Sequence, residues 1–120
     1  MDRARIAEMF AAFGAVDVRR MFGGVGIYAD GIMFALGHDD RIYLKADDLT
    51  RNAFEREGQG PFTYETRTGR HALASYWCVP DRLHDDPDEL AQWAAAALAA
   101  ARRAQADKPR KRRGRPGRSG

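Results

Sequence analysis

Residues 16–45 read VDVRRMFGGVGIYADGIMFALGHDDRIYLK, and this stretch decides the fold. Val25, Ile27 and Ala29 alternate with Gly24, Gly26 and Tyr28, and Asp30-Gly31 follows. Ile32, Phe34 and Leu36 then alternate with Met33 and Ala35. Two runs of period two around an Asp-Gly pair are a hairpin signature, because both central residues of a type I′ turn need positive φ and Asp and Gly tolerate it best. A second reversal is expected at Gly37-His38-Asp39-Asp40. After it, Ile42 and Leu44 share the core side of a strand, and Tyr43 and Lys45 face water or a neighbour. The stretch therefore predicts an antiparallel β-meander.

Ahead of the hairpin stands Val18-Arg19-Arg20-Met21-Phe22-Gly23-Gly24. Adjacent glycines imply a bulge, a bend or a close backbone approach. A phosphate cradle beside Arg19 and Arg20 is the rival, but a P-loop needs its glycines followed by Lys-Ser/Thr and a helix. Here a strand follows.

Outward from the meander, Asp2 can cap a first helix whose Ile6, Met9, Phe10 and Phe13 share one face, with Gly14 at its end. Asp47-Asp48 is expected to start a second helix, with Leu49, Ala53 and Phe54 as its apolar stripe and Gly58 as its stop. Phe62 to Glu65 alternates as a strand, Thr68-Gly69 makes a turn, and His71 to Pro80 is a longer strand. Asp86, Pro87 and Glu89 have the spacing of N-cap, N1 and capping-box partner for a last helix, whose Leu90, Trp93, Ala94, Ala97, Leu98 and Ala101 share a face. That Ala-rich face is expected to pack on the sheet, with a homodimer interface as the alternative. The fold class is α+β: an antiparallel sheet of five to six strands with an N-terminal, a middle and a long C-terminal helix.

Charge divides the chain more sharply than the fold does. Residues 108–120, KPRKRRGRPGRSG, hold seven Lys or Arg and no acid. The remaining 107 residues hold 13 basic and 17 acidic side chains, a net −4. The expected organisation is an α+β domain over residues 1–106 and a disordered basic tail over 107–120. Within the tail, Arg113-Gly114-Arg115-Pro116 with basic flanks resembles an AT-hook. The resemblance implies Arg113, Gly114, Arg115 and Pro116 in an A·T-rich minor groove, with Lys108, Arg110, Lys111, Arg112 and Arg118 on phosphates. DNA is thus the expected partner; without the motif, the tail would still bind polyanions in a salt-dependent way.

Candidates for chemistry are sparse. His38, His71 and His84 lack metal-ligand spacing, and Cys78 is the single cysteine, so no metal or cofactor is expected. Cys78 sits in an apolar strand, Ser75 has no G-x-S-x-G setting, and the Asp pairs fall at turns or helix starts. Met21, Tyr28, Met33, Phe34, Tyr43, Tyr76 and Trp77 are the candidates for lining a ligand pocket, with burial in the core as the alternative. An enzyme is not expected. No apolar run approaches the roughly 20 residues of a membrane span, and no apolar leader follows Met1-Asp2-Arg3-Ala4. A cytoplasmic setting is expected, with association with the nucleoid as its extension and no membrane partner.

Taken together, Arg19-Arg20-Met21-Phe22-Gly23-Gly24, Gly26-Ile27-Tyr28, Ile42-Tyr43-Leu44-Lys45 and Ser75-Tyr76-Trp77-Cys78-Val79-Pro80 resemble the TfoX/Sxy N-terminal domain family, from about Ile6 to Ala101. The resemblance implies a small α+β domain and kinship with bacterial competence regulators, which act on transcription. It supplies no catalytic residues. The competence regulators carry a second, helical C-terminal domain where this chain has its basic tail. The function implied is a non-enzymatic, DNA-associated regulatory or accessory protein that meets a protein partner or a second copy of itself. The alternative is a small-molecule- or protein-binding domain with an incidental tail.

Overall fold

The structure, a computed structural model, describes residues 2–21 and 23–107. Phe22 and the tail residues expected to touch DNA (Lys108, Arg110, Lys111, Arg112, Arg113, Gly114, Arg115, Pro116 and Arg118) lie outside the described residues. In chain order the elements are α1 (Arg3–Met9), β1 (Asp17–Met21), β2 (Gly24–Ala29), β3 (Ile32–His38), β4 (Arg41–Lys45), α2 (Arg51–Arg56), β5 (Pro61–Thr66), β6 (Gly69–Cys78) and α3 (Pro87–Ala106), with a 3-10 turn at Asp81–Asp85. The strands form one antiparallel sheet in the order β1-β2-β3-β4-β6-β5. The fold is the expected α+β one, with six strands and the three helices in their expected order.

The meander forms as its pattern demands. Asp30 (φ 52°) and Gly31 (φ 75°) supply the two positive angles of the first turn. Asp39 (φ 51°) and Asp40 (φ 61°) supply those of the second, so Gly37 and His38 belong to β3 rather than to the reversal. In-register neighbours share a face of a sheet. Ile27, Ala35, Leu44 and Trp77 lie in one row across β2, β3, β4 and β6, and all four belong to the core.

Simple alternation fails within β3. A bulge at Ile27/Tyr28 pairs Ile27 with Ala35 but Tyr28 with Met33, which leaves Phe34 as the extra residue. A bulged residue and its successor lean to the same side, so Phe34 and Ala35 are both fully buried in the core. Leu36 is thereby thrown to the face opposite Ile32 and Phe34, in register with Gly26 and Tyr43. The run Ile32, Phe34, Leu36 does not share one face as its spacing suggested.

All three helices feed the core on the Phe34 side. Asp2 caps α1 by accepting from the Arg5 N–H at 2.8 Å, and Ile6, Met9 and Phe10 are buried. The Phe10 ring meets Phe34 edge-on at 5.6 Å. Leu90, Ala94, Ala97 and Ala101 are buried along α3, which lies over β3 and β4; small side chains permit that close approach. The Ala face is thus filled by the chain's own sheet. Asp86 caps α3 by accepting from the Glu89 N–H at 3.1 Å. The Glu89 carboxylate does not return the bond: it accepts from Arg82 at 2.8 Å and from the Trp93 indole N–H at 3.2 Å. Arg82 also donates to Glu57, so one guanidinium ties the 3-10 turn to α3 and to the residue that ends α2. Near the other end of α3, Arg102 reaches Asp30 at 2.8 Å and Arg103 reaches Asp47 at 2.7 Å.

The second helix departs from expectation. Asp47 caps a turn, accepting from the Leu49 N–H at 3.1 Å, and the helix begins only at Arg51. Leu49 therefore lies outside the helix and is 75% exposed; Phe54 alone of the expected stripe is fully buried.

Candidate functional site: the uncovered face of the sheet

With the helices gathered on one side, the opposite face of the sheet has no second layer among the described residues. Its central row runs Arg19, Gly26, Leu36, Tyr43 and Cys78 across β1, β2, β3, β4 and β6. Gly26 leaves a hollow in it. A Cβ there would stand 2.9 Å from Met21 Sδ, 3.1 Å from a Tyr28 ring carbon and 3.3 Å from Met33 Sδ, so these three side chains close over the missing one.

Two cations sit on this face upon aromatic rings. The Arg19 guanidinium lies 4.5 Å from the centre of the Tyr28 ring, and the Lys45 ammonium 5.1 Å from that of Tyr76. Such contacts hold a long cationic side chain in place without neutralising it. Burial, aided by the nearby Tyr28, pushes the Tyr76 hydroxyl up to about 12, so it stays protonated. Arg20, next to Arg19, is paired with Val25 and is exposed. The two arginines of the Arg19-Arg20 motif thus point to opposite faces and form no joint cradle. The glycines after them serve the backbone. Gly23 has φ +77°, and a Cβ on Gly24 would stand 2.3 Å from the Gly37 carbonyl oxygen. The close approach expected of the glycine pair is the one found.

The β5–β6 hairpin shapes the other half of the face. Pro61 is paired with Trp77 but Phe62 with Leu73, so three residues of β6 bulge out between them. The Trp77 indole N–H closes that bulge on the Ala74 carbonyl at 2.9 Å, and the Ser75 carbonyl accepts from the Ala46 N–H. The bulge bends the hairpin across the sheet. Phe62 is hydrogen-bonded only to β6, yet its ring meets Tyr43 on β4 at 4.9 Å and His38 on β3 at 5.3 Å. Phe62 and Tyr64 stack at 5.9 Å with 20° between planes, and His71 continues the row 5.6 Å beyond Tyr64. The turn of this hairpin is Arg67-Thr68, and Gly69 already belongs to β6.

Between the bent hairpin and β1–β3 lies a cleft of about 580 Å³, lined by Met21, Leu36, Phe62, Tyr64 and Leu73, with His38, Glu65 and Thr66 as its polar side chains. That is the size and make-up of a small-ligand site. Of the residues expected to line a pocket, only Met21 borders it. Tyr28, Met33, Tyr43 and Tyr76 lie on the same face beyond it, while Phe34 and Trp77 are turned into the core. Phe62 and Tyr64 were within reach of the sequence, since they alternate in one strand. Leu36 was hidden by the β3 bulge, and Leu73 by the three-residue slip of β6.

The reactive groups are muted. Cys78 is buried, its thiol is pushed above the ordinary value by that burial, and Arg41 at 3.9 Å opposes the shift only in part. No three His, Cys, Asp or Glu side chains gather as a metal site among the described residues. No described helix is long and apolar enough to cross a membrane.

The family model for the TfoX N-terminal domain matches residues 8–101. Among individual relatives, the "DNA transformation protein TfoX1" of Aliivibrio fischeri is 29% identical over 94 residues. That alignment takes in 75% of this chain but 44% of the relative, so the chain spans less than half of the relative's length.

Proposed function

This chain belongs to the TfoX N-terminal domain family, and from that premise we propose that it is a non-enzymatic, DNA-associated accessory protein of the regulatory kind. The tail anchors it on DNA, and the folded domain is the part that meets a further macromolecule. One observation carries this reading: an acidic domain of net −4 is followed by thirteen residues with seven positive charges around Arg113-Gly114-Arg115-Pro116. A domain of that net sign gains nothing from the phosphates of a duplex, so duplex affinity is assigned to the tail. The related transformation protein, by its name, adds weight to a role near DNA.

The test is DNA binding across a salt series, comparing the full chain with a truncation after Ala106 on A·T-rich and G·C-rich duplexes. With about 4–6 phosphates contacted, log K for the full chain falls against log salt with a slope of roughly −4 to −5. The truncation loses duplex binding, and a tenfold preference for A·T-rich DNA, about 1.4 kcal/mol, supports the minor-groove hook. Equal binding by both proteins would sink the tail as anchor.

The cleft of about 580 Å³ favours one second reading, a small-molecule-binding domain with an incidental tail. A thermal-shift panel of metabolites decides that point: a ligand that raises Tm in the full chain but not in a Leu36→Trp variant would support it.

A further inference from the structure

We infer that the helix-free face of the sheet is a stacking platform for single-stranded nucleic acid. The inference rests on the reading above only in taking the partner to be a polyanion; its site and its ligand form are different from those of the tail.

Aromatic rings and cations are interleaved on this face. Tyr28 carries Arg19, and the Phe62–Tyr64 stack extends the row, with Tyr64 41% exposed; Tyr76, under Lys45, is itself buried and serves to hold that cation rather than to stack. Unpaired bases stack on such rings whatever their sequence, while cations beside them take the phosphates. Arg19 has no carboxylate partner among the described residues, so its charge is available. Strand order places four strand spacings between Tyr28 on β2 and Phe62 on β5, at most about 19 Å. That breadth suits a strand laid across the sheet.

Charge favours the sheet over the helical layer. The helix-bearing segments 2–13, 46–58 and 81–107 hold 12 acids and 7 bases, whereas the strand-bearing segments 17–45 and 61–78 hold 5 acids and 6 bases. A polyanion is repelled by the helical layer and tolerated by the sheet. The chemistry of the cleft favours an unpaired base over a duplex. Its apolar lining of Met21, Leu36, Phe62, Tyr64 and Leu73 accepts the flat face of a ring, with His38, Thr66 and Glu65, the last paired with Arg70, at hand for the ring's edge. A duplex keeps its bases stacked inside and has no such face to offer.

The test is ultraviolet cross-linking of the full chain to a labelled oligothymidine strand, with the joined peptides mapped by mass spectrometry. It is paired with affinities of Tyr64→Ala and Arg19→Glu variants for the same strand and for a duplex. Cross-links to peptides carrying Tyr28, Tyr43 or Tyr64 are expected, with a five- to hundredfold loss of single-strand affinity in Tyr64→Ala and little change in duplex affinity. Should Tyr64→Ala fold poorly, Tyr64→Leu keeps the bulk and removes the aromatic face. Cross-links confined to residues 108–120, with single-strand affinity untouched in the Tyr64 variants, would overturn the platform and leave the tail as anchor. Platform cross-links in a chain whose duplex affinity survives loss of the tail would do the reverse.

Discussion

The same six strands present two faces that differ in almost every respect. Toward the helices, Ile27, Phe34, Ile42 and Leu44 are fully buried among apolar neighbours. Toward the open side, Met21, Tyr28, Met33, Tyr43 and Phe62 are half-buried, Leu36 and Tyr76 are buried, and cations lie on Tyr28 and Tyr76. Burial of about 25 cal/mol per Å² rewards covering apolar surface; on this side only the bent β5–β6 hairpin supplies cover among the described residues, and Tyr64 and Leu73 at its edge stay exposed. One face makes the core, and the other is the one proposed above to meet a partner.

The sharpest way to break that contrast is to truncate one aromatic on each side. Phe34→Ala removes a fully buried ring that Phe10 and Phe13 both touch. Loss of about 3–5 kcal/mol is expected, read as a large fall in the urea midpoint. A loss below 1 kcal/mol would mean that the helical layer can collapse onto the gap.

The next largest effect concerns the seam where the β1–β2 turn meets β3. Gly24→Ala puts a methyl carbon against the Gly37 carbonyl at 2.3 Å, with backbone on both sides and nothing flexible to yield. A cost of about 1–3 kcal/mol is expected, the usual range for overpacking. Gly60→Ala is the control, since its added carbon would meet nothing within 4 Å.

Acid probes the helical side alone. Hydrogen bonds from Arg82 hold the Glu57 and Glu89 carboxyls below their ordinary value of 4.5. A carboxyl depressed in the folded state stabilises it above the unfolded value, and that stability is lost as pH falls through the folded one. The parent should therefore outlast Arg82→Ala near neutrality, and the gap in Tm should close as pH falls below 4.5. A gap that stays constant through that window would show that Arg82 acts by packing rather than by charge.

The smallest effect belongs to the open face. Tyr64→Ala removes a ring that is 41% exposed, and a change within about 1 kcal/mol is expected. A loss as large as that of Phe34→Ala would erase the distinction between the faces.

How much of this was legible beforehand follows from what alternation can carry. Period two with Asp30-Gly31 and Asp39-Asp40 located the meander, and Asp86, Pro87 and Glu89 located α3. Alternation presumes an uninterrupted ladder, so the bulge at Phe34 and the slip at Phe62 were invisible to it. Those two irregularities place Leu36 and Phe62 where they are, and with them the cleft. Leu49 was misplaced for another reason: three apolar residues are too few to fix the start of a one-turn helix. The glutamate of the capping box was diverted by Arg82, seven residues upstream and on a separate turn, a contact no local pattern encodes. The close backbone approach of the glycine pair was thus legible, and the reading ran short where distant strands had to meet.

The pinning of α3 has a further consequence. Arg102 on Asp30 and Arg103 on Asp47 fasten its last turns to two points of the meander. The tail therefore leaves from a fixed spot rather than from a fraying helix end. Thirteen residues reach at most about 43–47 Å when drawn out, little more than one turn of duplex. Were DNA held by so short a leash, as proposed, it would stay at an effective concentration of about millimolar around the domain. A contact on the sheet too weak to detect on its own would be occupied under that condition, and lengthening the leash with Gly-Ser repeats would dilute it away.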